Sequence, residues 1–223
     1  MMLYLSLFLS VIIGYGVAYA LKTKETSRFN LLLSFSGAFL LSVTVFEYLP
    51  ELYQSSHDSL GIFIMAGILL QLVLDFFSKG AEHGHIHIDS DQRSFPFALF
   101  ISLSIHALLE GIPVATSDHV LYGVLIHKIP IAAILGIFLI KTGYKPWITL
   151  LFLSGFALMT PLGSYLSQHL PELLEYLPYF NALVVGIFLH VSTTILFESN
   201  KNHSFNLMKL LTVILAMAIA YLI

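Results

Sequence analysis

Residues 95–115 read FPFALFISLSIHALLEGIPVA, and residues 119–140 read HVLYGVLIHKIPIAAILGIFLI. Each stretch is apolar over about 20 positions, the length that an α-helix needs to cross the roughly 30 Å hydrocarbon core of a membrane. The connection between them centres near Ser117, so the sequence predicts an antiparallel pair of membrane-spanning helices. Ionisable side chains inside such helices are costly and mark functional sites by default.

Similar apolar stretches follow one another along the whole chain of 223 residues, of which 57% are hydrophobic and 10% charged. We expect eight spans, at about 2–21, 30–50, 60–78, 95–115, 119–140, 147–167, 179–197 and 205–222. The sequence therefore predicts an all-α, polytopic, multi-pass protein of the cell (inner) membrane, with residues 1–223 forming a single transmembrane domain. The chain has no cysteine, which excludes disulfides and thiolate metal sites.

Lysine and arginine lie almost entirely on one side of this arrangement. The connections after spans one, three, five and seven carry Lys22, Lys24, Arg28, Lys79, Arg93, Lys141, Lys145 and Lys201, with Lys209 close by. The opposite connections carry Glu51, Asp58, Asp118, Glu172 and Glu175, and no basic residue. Cytoplasmic loops are enriched in Lys and Arg, so we expect both termini on the extracytoplasmic side.

The polar residues of the quoted pair of spans fall at one depth. His106 lies eleven residues before Ser117 and His127 lies ten after it. His106 and Glu110 are four positions apart and therefore share one face of a helix. Two imidazoles and a carboxylate at one level of a membrane hairpin indicate either a metal site or a cluster of interhelical hydrogen bonds.

Other polar residues extend this pattern, and each also has a purely structural interpretation. Ser102 continues the stripe of His106 and Glu110 at the same spacing. Glu47 and Glu51 are predicted at the outer mouth, where carboxylates would attract cations, although solvated acids at a helix end are common.

A second stripe and a loop lie toward the predicted inner side. The seventh span carries His190, Thr194 and Glu198 at intervals of four, which suits either an ion pathway or helix-to-helix contacts. The predicted cytoplasmic loop 79–94 contains His83, His85 and His87, an alternation that favours loose zinc or nickel binding over a plain polar linker.

These motifs resemble those of the ZIP family of divalent-metal transporters (Zrt- and Irt-like proteins), of the prokaryotic type. Residues 106–111, HALLEG, are similar to the family's HNxxEG signature, and residues 127–130, HKIP, to its HEIP segment. The second span up to Pro50 and Glu51, and the Thr160-Pro161-Leu162-Gly163 break of the sixth, resemble the corresponding spans of the family. The resemblance implies that His106, Glu110 and His127 coordinate the transported ion.

Five positions depart from the family pattern. Ile131 and Ala132 stand where the family often has further His or Glu ligands, and Glu47 replaces a frequent His near the outer mouth. The other two departures bear on the number of ions. Ala107 stands where the family often has Asn, and Lys128 stands where it often has an acid. Both positions would be needed for a second, neighbouring ion. We therefore interpret this chain as a one-ion site, in which the Lys128 ammonium replaces the second cation and has Glu110 as its nearest partner.

The resemblance implies a transporter that moves divalent transition-metal ions, zinc foremost, into the cytoplasm by alternating access. Fe²⁺, Mn²⁺, Co²⁺ and Cd²⁺ suit the same ligands. No nucleotide-binding motif is present, which favours secondary or facilitated transport. We expect the metal as substrate with no cofactor, the lipid bilayer as partner, no nucleic acid, and we leave a homodimer open.

Two alternatives come from other classes. An intramembrane zinc-dependent hydrolase needs a general base and an open zinc position. The chain has no HExxH motif, and Glu110 is occupied as a ligand, so we do not expect an enzyme. A haem protein with His106 and His127 as axial ligands is disfavoured by the charges of Glu110 and Lys128 beside the iron.

Overall fold

The computed structural model describes residues 2–21, 26–54, 57–78, 80, 96–198 and 207–223, without the side chains of residues 20–21, 26–29 and 198. Its helices are α1 (Met2–Leu21), α2 (Thr26–Val43), α3 (Leu49–Gln54), α4 (Leu60–Ser78), α5 (Phe97–Val114), α6 (Asp118–Lys141), α7 (Pro146–His169), α8 (Pro171–Leu174), α9 (Leu177–Glu198) and α10 (Leu207–Leu222). A π-helical turn, Thr44–Tyr48, joins α2 to α3 without a break. The described residues contain no strand.

The expected membrane architecture is confirmed at the level of an all-α, multi-pass membrane protein. Seven helical stretches within the described ranges are long and apolar enough to cross a bilayer. The eighth predicted span corresponds to α10, an apolar helix of 16 residues, so the count of eight and the placement of the termini stay predictions. Large apolar side chains cover the outside, such as Ile62 (68% exposed) and Phe76 (79% exposed), as a surface in contact with lipid requires.

Prolines lie inside three neighbouring helices, of which α5 and α6 carry the three predicted ligands. Pro113 lies inside α5, Pro130 inside α6 and Pro161 inside α7. A proline cannot donate a backbone hydrogen bond, so a carbonyl about one turn earlier in each helix is available for other partners. At the start of α6, Ser117 accepts a hydrogen bond from the Val120 amide at 3.4 Å, which ends the short connection from α5.

The helices pack in pairs through glycine. The most extensive contacts join α5 to α7, α1 to α6 and α4 to α9. A Cβ atom on Gly111 of α5 would collide with the Thr160 carbonyl oxygen, and one on Gly163 of α7 would collide with the Leu108 carbonyl oxygen. Small residues that allow two backbones to approach closely are a common device for packing helices in membranes. The α5–α7 contact therefore holds the backbone beside Glu110 against α7.

The close approach of α5 and α7 predicts the effect of a substitution on stability. Gly163→Ala should destabilise the protein by about 1–3 kcal/mol, because the backbones of α5 and α7 must separate to admit the methyl group. Gly16→Ala is the matched control, since outside the adjoining backbone of α1 no atom lies within 4 Å of a Cβ at that position. Alanine favours helix over glycine, so this control should unfold at or above the wild-type temperature in detergent micelles. Equal unfolding temperatures for the two variants would contradict the packing argument.

Candidate metal centre

The predicted site residues lie together in the middle of the protein. His106 and Glu110 come from α5, and His127 and Lys128 come from α6; their exposed fractions are 2%, 1%, 1% and 1%. They line one buried pocket, together with Leu103, Ile131 and Phe156. Such deep burial of four ionisable side chains requires that each is compensated by neighbouring groups.

Glu110 is the centre of this cluster. The Lys128 ammonium lies 2.5 Å from Oε1 of Glu110, and the Nε2 atom of His106 lies 3.5 Å from Oε2. The Thr160 hydroxyl of α7 lies 2.9 Å from Glu110 Oε1 and 2.9 Å from the Ala107 carbonyl oxygen. A hydroxyl has one proton and can donate to only one of these oxygens at a time. Helices α5, α6 and α7 therefore converge on a single carboxylate.

The ammonium of Lys128 is stabilised from two sides. Glu110 supplies the negative charge, and the Phe156 ring lies beneath the ammonium, with 4.5 Å between Nζ and the ring centroid. A cation over an aromatic face gains further stabilisation where water is excluded. The sequence suggested Glu110 as the partner of Lys128 from depth alone, and the structure brings these two side chains into contact.

The spacing of His106 and Glu110 suits a small divalent ion. Two ligand atoms at the usual 2.0–2.2 Å from a tetrahedral zinc ion are about 3.4 Å apart. The observed separation of His106 Nε2 and Glu110 Oε2 is 3.5 Å. The His127 ring lies nearby, 6.5 Å from the His106 ring between centroids. Within the described ranges, no group of three or more His, Asp or Glu side chains is close enough to hold a metal ion as it stands.

A chain of polar side chains continues from His106 into two further helices. Gln71 of α4 places Oε1 2.9 Å from Nδ1 of His106. Its amide nitrogen donates to Asp75 Oδ1 at 2.9 Å, and the other oxygen of Asp75 lies 2.8 Å from Nε2 of His190 on α9. His190, for which the sequence suggested either an ion pathway or helix-to-helix contacts, thus contacts Asp75, and the two are linked to the pocket through Gln71.

The other predicted auxiliary positions, on α5, in the π-helical turn and on α3, are Ser102, Glu47 and Glu51. Ser102 is buried and donates its hydroxyl to the Ala98 carbonyl one turn earlier, at 2.8 Å. Glu47 lies half-buried in the π-helical turn, and Glu51 lies exposed at the start of α3. π-Helical turns inside longer helices are frequent at functional sites. A role of the two carboxylates in collecting cations stays a prediction.

The inner part of the seventh predicted span is only partly described. Thr194 donates its hydroxyl to the His190 carbonyl at 2.8 Å, a local bond within α9. Glu198 is the last residue of α9, and its side chain lies outside the described part of the protein. The loop histidines His83, His85 and His87 also lie outside the described residues. Their predicted roles in the pathway and in loose metal binding stay untested.

Comparison with known proteins finds partial similarity to zinc transporters. The chain is 36% identical over 93 residues to Zinc transporter ZIP1 of Danio rerio, which covers 38% of this chain and 30% of that protein. It is 32% identical over 87 residues to Zinc transporter ZIP1 of Takifugu rubripes, covering 35% of this chain and 29% of that protein. Part of the chain is thus similar to proteins named as ZIP zinc transporters. A longer match, 29% identical over 156 residues, joins it to Protein zntD of Dictyostelium discoideum and covers 57% of this chain and 22% of that protein.

The similarity covers only part of each of these proteins. The matched segments span less than a third of each of these proteins, at 30%, 29% and 22% of their lengths. No protein-family model matches the chain. The expected resemblance to the ZIP family is confirmed, and the prokaryotic type stays a prediction.

Sequence reasoning missed two residues of the polar network that continues from the site. Gln71 and Asp75 are polar residues four apart inside the third apolar span, so the principle that singled out His106 also applied to them. Gln71 is fully buried. Thr160 was noted only as part of a helix break, although its hydroxyl contacts Glu110.

Proposed function

We propose that this protein is a secondary or facilitated transporter that moves divalent transition-metal ions, zinc foremost, across the cell (inner) membrane into the cytoplasm by alternating access. The observation that carries the proposal is the pair of His106 Nε2 and Glu110 Oε2, 3.5 Å apart and buried inside a multi-pass membrane protein. The similarity to two proteins named as zinc transporters supports the same function.

The ligand set explains the choice of metal. Imidazole nitrogen and carboxylate oxygen suit Zn²⁺, with Fe²⁺, Mn²⁺, Co²⁺ and Cd²⁺ as competitors. His106 and Glu110 form one edge of the proposed site, and His127 approaches from α6. Water molecules and carbonyls near the prolines complete the coordination in this proposal. An ion held by few protein ligands can leave again, which transport requires.

Lys128 explains how the site is kept stable without an ion. A buried carboxylate with no positive partner is strongly unfavourable, and the ammonium at 2.5 Å supplies that charge. An arriving divalent ion competes with the ammonium for Glu110. We propose that one ion binds per chain, because Lys128 repels a second one. The same repulsion favours release of the bound ion once the site opens toward the cytoplasm. A membrane potential that is negative inside also favours movement of a divalent ion into the cytoplasm, by about 4–5 kcal/mol per 100 mV.

The test is uptake of zinc into proteoliposomes that contain the purified protein and a zinc-sensitive dye. We expect saturable accumulation without nucleotide and without any other substrate, above the rate of protein-free vesicles. Competition with Fe²⁺, Mn²⁺, Co²⁺ and Cd²⁺ ranks the metals. Uptake equal to that of protein-free vesicles, for folded and inserted protein, would contradict the proposal and return attention to the zinc-dependent hydrolase.

A further inference from the structure

Among the described residues, Gln71 contacts a proposed ligand, His106, through its side-chain amide. The side chain is fully buried on α4, and its oxygen lies 2.9 Å from Nδ1 of His106. Its nitrogen donates to Asp75 Oδ1 at 2.9 Å. Asp75 is in turn held by His190 of α9 at 2.8 Å. The amide therefore joins the α4–α9 pair to the imidazole on α5.

Asp75 determines which way the amide faces. An ionised carboxylate only accepts hydrogen bonds, so the nitrogen of Gln71 must point to Asp75 and the oxygen to His106. An amide oxygen also only accepts, so Nδ1 of His106 must carry the ring proton. In the neutral imidazole the other nitrogen, Nε2, then has a lone pair. That nitrogen is the one 3.5 Å from Glu110 Oε2.

Without Gln71 the imidazole has an alternative state. A proton on Nε2 would donate toward the Glu110 carboxylate, which lies on the same helix one turn away. This internal hydrogen bond would occupy the nitrogen and the oxygen that the proposed ion needs. Histidine ligands of metals usually donate their second N–H to an outer partner, and that partner sets the tautomer and the ring orientation.

We propose that Gln71, oriented by Asp75, is a positioning residue that holds His106 as the Nδ1–H tautomer and so keeps Nε2 available to the transported metal ion. This inference rests on the proposed transport function and adds a residue to it. It predicts that the proton position on His106 is set before any metal binds. Removal of the outer partner of a ligating histidine typically weakens metal binding about 10–100-fold.

The first test reads the tautomer directly in metal-free protein. Nitrogen NMR of protein labelled with ¹⁵N-histidine distinguishes Nδ1–H from Nε2–H, and His106→Ala identifies the relevant signal by its loss. We expect the Nδ1–H form in the wild type and a shift toward Nε2–H in Gln71→Leu. An Nε2–H signal for His106 in the wild type would overturn the proposal, whether or not the protein transports zinc and whether or not the variant folds.

The second test separates positioning from structural support. Zinc affinity is measured on purified protein by competition with a chromogenic chelator. Gln71→Leu should raise the Kd about 10–100-fold. Gln71→Glu retains an acceptor for the His106 N–H, so its affinity should stay close to that of the wild type. A merely structural role predicts the opposite order, because Gln71→Glu places a second carboxylate beside Asp75.

The control is the same substitution at another amide. Gln168 of α7 donates to the Ser164 hydroxyl at 3.3 Å and is exposed, so Gln168→Leu should leave zinc affinity unchanged. Equal affinities for Gln71→Leu and the wild type would overturn the positioning role while leaving the transport proposal intact. A wild type with the expected tautomer but no zinc binding would overturn the role in ligation together with the proposed function.

Discussion

Replacement of any one of the three proposed ligands should reduce zinc uptake to the level of protein-free vesicles. Loss of an outer partner already costs about 10–100-fold in metal affinity, and loss of a direct ligand should cost more. The variants are His106→Ala, His127→Ala and Glu110→Gln, measured in the proteoliposome assay with equal amounts of inserted protein. His169→Ala and Glu175→Ala are the controls, since both side chains are exposed outside the site and should retain wild-type uptake.

Glu110 needs a second variant, because its removal leaves the Lys128 ammonium buried without its carboxylate. The double variant Glu110→Gln with Lys128→Met removes both charges and keeps the approximate volume of both side chains. Replacement of a buried ion pair by neutral groups is often tolerated, so this protein should fold. It should nevertheless fail to take up zinc, because the carboxylate is absent. Wild-type uptake in the double variant, or in all three single variants, would refute the proposed ligand set.

The parts of the site that the sequence predicted are those that depend on one helix or one short turn. His106 and Glu110 are four apart, and any α-helix places them on one face. The common depth of His106 and His127 follows from their nearly equal spacing, eleven and ten residues, on either side of the turn near Ser117. These predictions needed only helical geometry and the antiparallel direction of the neighbouring span.

The contacts that the sequence did not predict join helices that are distant in the chain. Helix α5 packs more extensively against α7 than against α6, its neighbour in sequence. The close approach at Gly111 and Gly163 decides this, and each glycine alone matches many partners. Thr160 reaches Glu110 only because of that pairing.

The contact between Gln71 and His106 depends on how α4 is rotated relative to α5. Gln71 and His106 are thirty-five positions apart in the sequence, and that spacing does not determine the rotation. An apolar helix with lipid on one side has few features that indicate its inner face. Polar side chains inside the span are the exception. Gln71 and Asp75 point inward because a polar or charged side chain facing lipid would be strongly unfavourable, whereas hydrogen-bonded partners stabilise it in the interior.

Lys128→Met should have the largest effect on the stability of the metal-free protein. Breaking a buried ion pair by removing one partner typically costs about 3–5 kcal/mol, because the other charge stays buried. Here the remaining charge is Glu110, which is 1% exposed. The unfolding temperature in detergent with chelator should therefore fall well below that of the wild type. A divalent ion restores the missing positive charge, so zinc should stabilise this variant more than it stabilises the wild type.

Zinc affinity distinguishes this explanation from general damage. In the wild type the ion must displace the ammonium from Glu110, so removal of Lys128 should tighten binding about tenfold or more, equivalent to about 1.4 kcal/mol per factor of ten. Tighter binding with slower release should lower the rate of uptake at saturating zinc. Lys209→Met is the control, because the Lys209 ammonium donates to the Leu196 carbonyl, outside the site. Zinc binding that becomes weaker in Lys128→Met would show that the ammonium supports the ion site instead of competing with the ion.

The number of ions bound per chain tests whether the charge of Lys128 excludes a second ion. Mass spectrometry of the intact, zinc-loaded wild type should find one ion at the site, because a second divalent ion would lie against the Lys128 ammonium. Lys128→Glu replaces that ammonium with a ligand beside Glu110 and should raise the count to two. Two ions in the wild type would refute the one-ion proposal. A count of one in both proteins would mean that Ala107, and not the charge of Lys128, limits the site, because methyl groups cannot bind metal.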